Sequence, residues 1–470
     1  MSTFMSDREY KQSQRLIYLY PLFISLFFLA ATPIAVIYTK EWDFFDNLIR
    51  ILTSPSKLVT DYFALGGLGS TLFNAAICGL FTNLITYLSR AKANATILAG
   101  YMLVVAHCFY GLNFLNMWPP FLGIILYCIV TKKNIGEIIH IAFFSTALAP
   151  FVSELCFRYA MENYSSSVIN VNWVGVGLSL VCGLAIGFVV PALLPGTSAM
   201  YHGYSLYKAG LAIGILGIFL NAFMYSTLGV DKPVSTPIVN ESYYALPYGY
   251  RGFMNVFYII LFSVTFIVGF ILNKKSIRGY RELLQCTGHG TDFTDKFGMP
   301  VCMINIAIYG FAMIAYLNLV FILPSIFPGL PTGVGFTGAT AGIILAALTF
   351  AADGQHIKNV FPIVVGYIAL FVFVVLICKI ANFDIPWTLS TQAYINGLAF
   401  ATGLCPIAGK YGFRYGVLAG FMSAIICAIT AEMHGGFVLY NGGFNAGLTA
   451  LVLIPILDFY NVKPIKESDV

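Results

Sequence analysis

FSTALAPFVSELCFRY (Phe144–Tyr159) and FATGLCPIAGKYGFRY (Phe400–Tyr415) lie 256 residues apart and agree without a gap at seven of sixteen positions. Ordinary residue frequencies give about one such agreement by chance. Two more pairs flank them in the same order. GLNFLNMWPPFLG (Gly111–Gly123) and GQHIKNVFPIVVG (Gly354–Gly366) share Gly, Asn, Pro and Gly at one spacing, and HGYSLYKAGLAIG (His202–Gly214) matches HGGFVLYNGGFNAG (His434–Gly447) in HG and in LY-x2-G-x3-G. Three pairs in one order make the chain a duplication, with a first unit over 1–249 and a second over 250–470.

The solvent of these units follows from composition. Of 470 residues, 59% are hydrophobic and 10% charged, far from the balance of a water-soluble domain. The apolar residues gather into runs of about 20, the length at which a helix crosses hydrocarbon. Leu16 to Tyr38 is the first, and it is too long and too unlike a cleavage region for a signal peptide. Hydropathy predicts about fourteen transmembrane helices, near 16–38, 62–88, 94–110, 117–131, 138–157, 171–195, 206–228, 252–273, 300–323, 333–352, 359–378, 389–409, 415–433 and 440–458. The short pair 94–110 and 117–131 also reads as a re-entrant hairpin. The expected fold is an all-α polytopic membrane protein of two seven-helix repeats, and an odd number of spans turns the second repeat upside down.

The charges agree. With a cytoplasmic N-terminus, seventeen Lys and Arg fall in cytoplasmic loops against seven outside, as the positive-inside rule requires, and Arg158 and its equivalent Arg414 fall on opposite sides. The net charge of +5 has no nucleic-acid-binding pattern. Ten scattered cysteines have neither C-x-x-C spacing nor a histidine partner, so they read as small buried hydrophobes; no metal or cofactor is expected.

Candidate functional residues sit on the repeated motifs. Pro150 and Pro406 each remove an amide donor and free a carbonyl one turn back, near Thr146 and Thr402. Such groups at membrane depth must be satisfied by protein or by a wet cavity, so paired helix breaks point to a midplane solute site. A threonine hydroxyl healing an ordinary kink explains the same residues. Asn116 and Asn359 would add amide donors. His202, Tyr207, His434, Tyr440 and Asn441 are candidate gates or supports at opposite faces, or simply hydrogen-bonding residues at interfaces. Glu154 and Lys410 occupy one repeat position with opposite charge and would pair across the repeat axis, unless each reaches its own interface beside Arg158 or Arg414.

The motif residues resemble those of a family of duplicated bacterial integral membrane proteins known only as a domain of unknown function. Gly111, Asn116, Pro119, Gly123, Thr146, Leu148, Pro150, His202, Gly203, Leu206, Tyr207, Gly210, Gly214 and their second-half counterparts carry the likeness. Tyr440, Asn441, Gly443 and Phe444 fit its pattern, whereas Ser205 and Lys208 depart from it. The resemblance implies a multi-pass protein of a bacterial cytoplasmic membrane and brings no substrate.

The expected function is therefore transport of a small polar solute through a midplane site, by a non-enzymatic protein whose partners are that solute and the lipid bilayer. A homo-oligomer is compatible with the sequence. A passive channel, or an embedded enzyme acting on a lipid-like substrate, would use similar parts. Thiol labelling of cysteines introduced at Lys466 and His289 should proceed only from the cytoplasmic side, and labelling of either from outside overturns the fourteen-helix topology.

Overall fold

The computed structural model describes residues 6–58, 60–161, 169–233, 250–331 and 335–465. Every regular element among them is helical. The first repeat comprises α1 (Asp7–Thr39), α2 (Phe44–Thr53), α3 (Tyr62–Leu88), α4 (Ala95–His107), α5 (Trp118–Thr131), α6 (Ile135–Ser145), α7 (Ala149–Phe157), α8 (Trp173–Ala199) and α9 (Lys208–Asn221). The second comprises α10 (Arg251–Leu272), α11 (Met299–Ile326), α12 (Gly338–Ala347), α13 (Ile357–Ala381), α14 (Gln392–Ala401), α15 (Cys405–Tyr411), α16 (Phe413–Ile426) and α17 (Asn441–Phe459), with single helical turns at Tyr280–Leu283, Phe293–Lys296 and Thr430–Met433. Nine helical segments among the described residues have the length and apolarity to cross a membrane, and four further apolar helices are shorter. Outward-facing residues such as Ile129, Trp173, Val181 and Ile380 keep the surface of these helices apolar.

Hydrogen bonds between the repeats fix their relative direction. Ser13 on α1 accepts from the amide of Met299 at 2.8 Å, so α1 and α11 start on one face, the N-terminal face. Asp292, just before α11, accepts from the amide of Ala95 at the start of α4, while Asp61, which caps α3, accepts from the amide of Gly338 at the start of α12. The 27 residues of α3 extend about 40 Å, and the six-residue connection 89–94 reaches about half of that. Leu88 and Ala95 therefore share a face. Hence α3 runs toward the N-terminal face and its counterpart α11 runs away from it. Equivalent helices are antiparallel, and the repeats are inverted.

The correspondence extends to single bonds. Asn74 donates to the carbonyls of Cys108 and Leu112, and Asn305 to those of Ala351 and Gln355. The Tyr62 amide binds the Phe109 carbonyl as the Phe293 amide binds that of Ala352. Both buried asparagines thus tie down the turns that end α4 and α12, where the chain leaves the helix earlier than hydropathy predicts. These two helices are shorter than a span and almost completely buried, because they form the centre of the molecule and never meet lipid. The α4 and α5 helices, 13 and 14 residues long, carry the chain away from the N-terminal face and back to it, where Gly136 abuts the Ser89 carbonyl. Asn113 after α4 donates to the Ile51 carbonyl on α2, which lies on the far face. Hydropathy missed α2, a ten-residue amphipathic helix with one buried residue.

Glycine lets the repeats meet. Gly210 on α9 abuts the backbone of Gly443 on α17, its own repeat equivalent, so the two helices cross at the pseudo-twofold axis with no side chain between them. A methyl group at Gly210 has no room, since the obstacle is backbone. Gly210→Ala should destabilise the protein by about 1–3 kcal/mol, the usual cost of overpacking, read as a lower Tm in detergent, whereas Gly177→Ala, which points into open space, should leave Tm unchanged.

Candidate functional site

The helix breaks lie where the sequence places them. In the first repeat α6 passes through a 3-10 turn at Thr146–Leu148 into α7; in the second, α14 passes through Thr402–Leu404 into α15. Each threonine hydroxyl donates at 2.6 Å to a carbonyl three residues back, Phe143 for Thr146 and Ala399 for Thr402. The backbone is completed from the other repeat. Leu439 donates its amide to the Ala147 carbonyl, and Leu206 donates to that of Gly403, both at 2.9 Å. This reciprocal exchange ties the repeats together at the two proline breaks.

It also removes the expected solute acceptors. The Thr146 carbonyl takes the Ala149 amide, and the Thr402 hydroxyl accepts from Gln355 at 2.8 Å. Asn116 spends its amide on Gly111 and Ser153 and its oxygen on the Asn113 amide; Asn359 binds the Gly354 carbonyl and the His356 amide in the same manner. All four are fully or almost fully buried. Asn116, Thr146, Pro150, Asn359, Thr402 and Pro406 therefore build the scaffold, with their polar groups saturated by protein.

Other expectations divide. Glu154 does not meet Lys410. Its carboxylate pairs with Arg158 at 2.6 Å and accepts from the Tyr225 hydroxyl at 2.9 Å, beside Lys57 on the far face, while the Lys410 ammonium lies 5.2 Å from the Tyr204 ring centre on the N-terminal face. Inversion itself separates them, because equivalent positions at a helix end fall on opposite faces. His202 and His434 do lie at opposite faces: the carbonyl of His202 bonds the His289 ring at 2.8 Å, and His434 Nε2 bonds Asn441 Oδ1 at 2.9 Å. Tyr207 and Tyr440, expected near those faces, instead meet at the centre with ring centroids 5.4 Å apart. With Phe144 and Phe400 they form an aromatic quartet on the pseudo-axis.

Beside this quartet, on its N-terminal side, is a half-open cavity of about 310 Å³. Both repeats line it: Thr96, His140, Ser198 and Lys208 from the first, Phe350 and Asp353 from the second, with Phe144 of the quartet as part of the wall. Asp353 sits half-buried in the turn after α12 and lines the cavity. Sequence reasoning missed this cluster. Two signals carried it: Lys208 breaks the motif where the second copy has Asn441, and Asp353 directly precedes the repeated GQHIKN stretch.

An all-α membrane protein of two inverted, interlocked repeats, with a charged cavity at their junction, is the class that this architecture defines. A family model described as "Protein of unknown function (DUF1576)" matches residues 40–226 and again 272–459, and the chain belongs to this family as a duplicated form of its domain. No curated protein and no solved structure is detectably similar to it.

Proposed function

We propose that the protein carries a small polar solute across a membrane, binding it in the cavity beside the aromatic quartet. The observation that carries this reading is the Lys208–Asp353 pair lining one cavity at the repeat junction. Charged groups at membrane depth are costly and are kept where they serve a pathway or a ligand. An ammonium and a carboxyl on a partly apolar wall suit a small zwitterion, and 310 Å³ holds about ten water molecules' worth of solute. The quartet closes the route toward the far face, which favours a carrier that binds and releases over an open channel.

The positive-inside asymmetry puts the N-terminal face on the cytoplasmic side, so the cavity opens toward the cytoplasm of the bacterial cell implied by the motif resemblance. Solute would leave or enter the far side after a rocking of one repeat against the other, the usual consequence of inversion.

Reconstituted liposomes test the proposal. A panel of radiolabelled zwitterionic and uncharged polar solutes should include at least one with saturable uptake and counterflow. Lys208→Gln and Asp353→Asn should each weaken its apparent affinity tenfold or more, the effect of losing one buried charge-assisted hydrogen bond of about 1.5–3 kcal/mol, with folded yield retained. Uptake that rises linearly with concentration indicates a channel, and uptake indifferent to both substitutions removes the cavity as the site.

A further inference from the structure

Inversion gives the open cavity a counterpart on the far side of the quartet. The repeat offsets map His140 to Asn396, Phe144 to Phe400, Leu206 to Leu439, Lys208 to Asn441, Phe350 to His107 and Asp353 to Tyr110. The paired backbone bonds at Phe109 and Ala352 support the last two equivalences. The counterpart is closed: His107, Tyr110, Phe400, Leu439 and Tyr440 are at most 1% exposed.

Its polar groups are unlike those of a finished core. Both ring nitrogens of His107, the Tyr110 hydroxyl and the Tyr440 hydroxyl have no hydrogen-bond partner. The three side chains touch, with ring centroids 5.5 Å apart for His107 and Tyr110 and 6.3 Å for His107 and Tyr440. Tyr101, Tyr258 and Tyr367, buried to the same degree, are satisfied by Ser25, the Ala341 carbonyl and Ser423, whereas the Tyr309 hydroxyl stands alone and has no unpartnered histidine beside it. A buried donor or acceptor without a partner bears its full desolvation cost with no return. Three neighbouring side chains in this condition, two of them the symmetry mates of residues lining the open cavity, leave polar groups able to take hydrogen-bonding partners. Tyr440 also stacks on Phe144, which lines the open cavity, so this cluster adjoins that cavity.

We infer that His107, Tyr110 and Tyr440 form a second polar chamber, which takes water or the uncharged hydrogen-bonding groups of the solute as it passes to the far face. Its chemistry is neutral where the open cavity is charged, since Asn441 and Tyr110 replace Lys208 and Asp353. A solute held by charge on one side would be held there by hydroxyl, amide and imidazole groups alone. The solute part of this inference rests on the transport reading; the chamber itself does not.

Hydroxyl-radical footprinting of the protein in lipid vesicles reads the chamber with water as the probe. His107 and Tyr110 should be oxidised several-fold faster than Tyr101, Tyr258 and Tyr367. Oxidation at the rate of those references overturns the chamber. Tyr110→Phe is the second measurement: it should leave Tm unchanged or higher, whereas Tyr101→Phe, which breaks a formed hydrogen bond, should lower it. A Tm loss for Tyr110→Phe as large as for Tyr101→Phe means the hydroxyl has a structural partner, and the inference fails. Solute uptake without oxidation at the chamber refutes the chamber and leaves the carrier standing; oxidation with no uptake of any solute does the reverse.

Discussion

The constraint on which the rest of the structure depends is that backbone at membrane depth must find hydrogen-bond partners within the protein. Pro150 and Pro406 break the helical ladder in each repeat; the Thr146 and Thr402 carbonyls are met locally by Ala149 and Cys405, and the carbonyls next in the chain are met from the other repeat. Ala147 is served by Leu439 and Gly403 by Leu206. That exchange brings the His202–Gly214 and His434–Gly447 motifs into the opposite repeat, sets Gly210 against Gly443, and packs Tyr207 and Tyr440 ring to ring. The cavity and the quartet lie along the line so created.

Much of the fold was legible in the sequence because it is encoded twice. Seven identities between Phe144–Tyr159 and Phe400–Tyr415 exposed the duplication, and the proline at the sixth place after each threonine-containing start marked a break that the structure contains. What hydropathy could not separate was a helix that meets lipid from one that is buried by other helices, so α4 and α12 were drawn too long. The amphipathic α2 escaped a search tuned to uniformly apolar runs.

The site was less legible, for a geometric reason. Shared repeat position was read as nearness, which led to the Glu154–Lys410 pair. In an inverted duplication only positions near mid-depth approach their equivalents, as Gly210 and Gly443 do; positions near a helix end are carried to opposite faces, as those two charges are. The repeated residues turned out to be the scaffold, since both copies need the same joint. The charged residues of the cavity lie where the copies differ, at Lys208 against Asn441 and at Asp353 against Tyr110. The partners of the Ala147 and Gly403 carbonyls come from the other half of the chain, and no local pattern records them.

The swapped amides have a consequence for biogenesis. When α6 and α7 leave the ribosome, the Ala147 carbonyl has no donor, and its partner Leu439 is synthesised about 290 residues later, roughly 15–60 s at ordinary translation rates. Through that interval the first repeat resides in or beside the insertion machinery with an open joint, and it cannot settle into its final packing until the last helix but one has been made. Assembly of this protein is therefore post-insertional at its centre, and the translocation apparatus or a membrane chaperone must tolerate a half-finished bundle for most of the time the chain takes to be made.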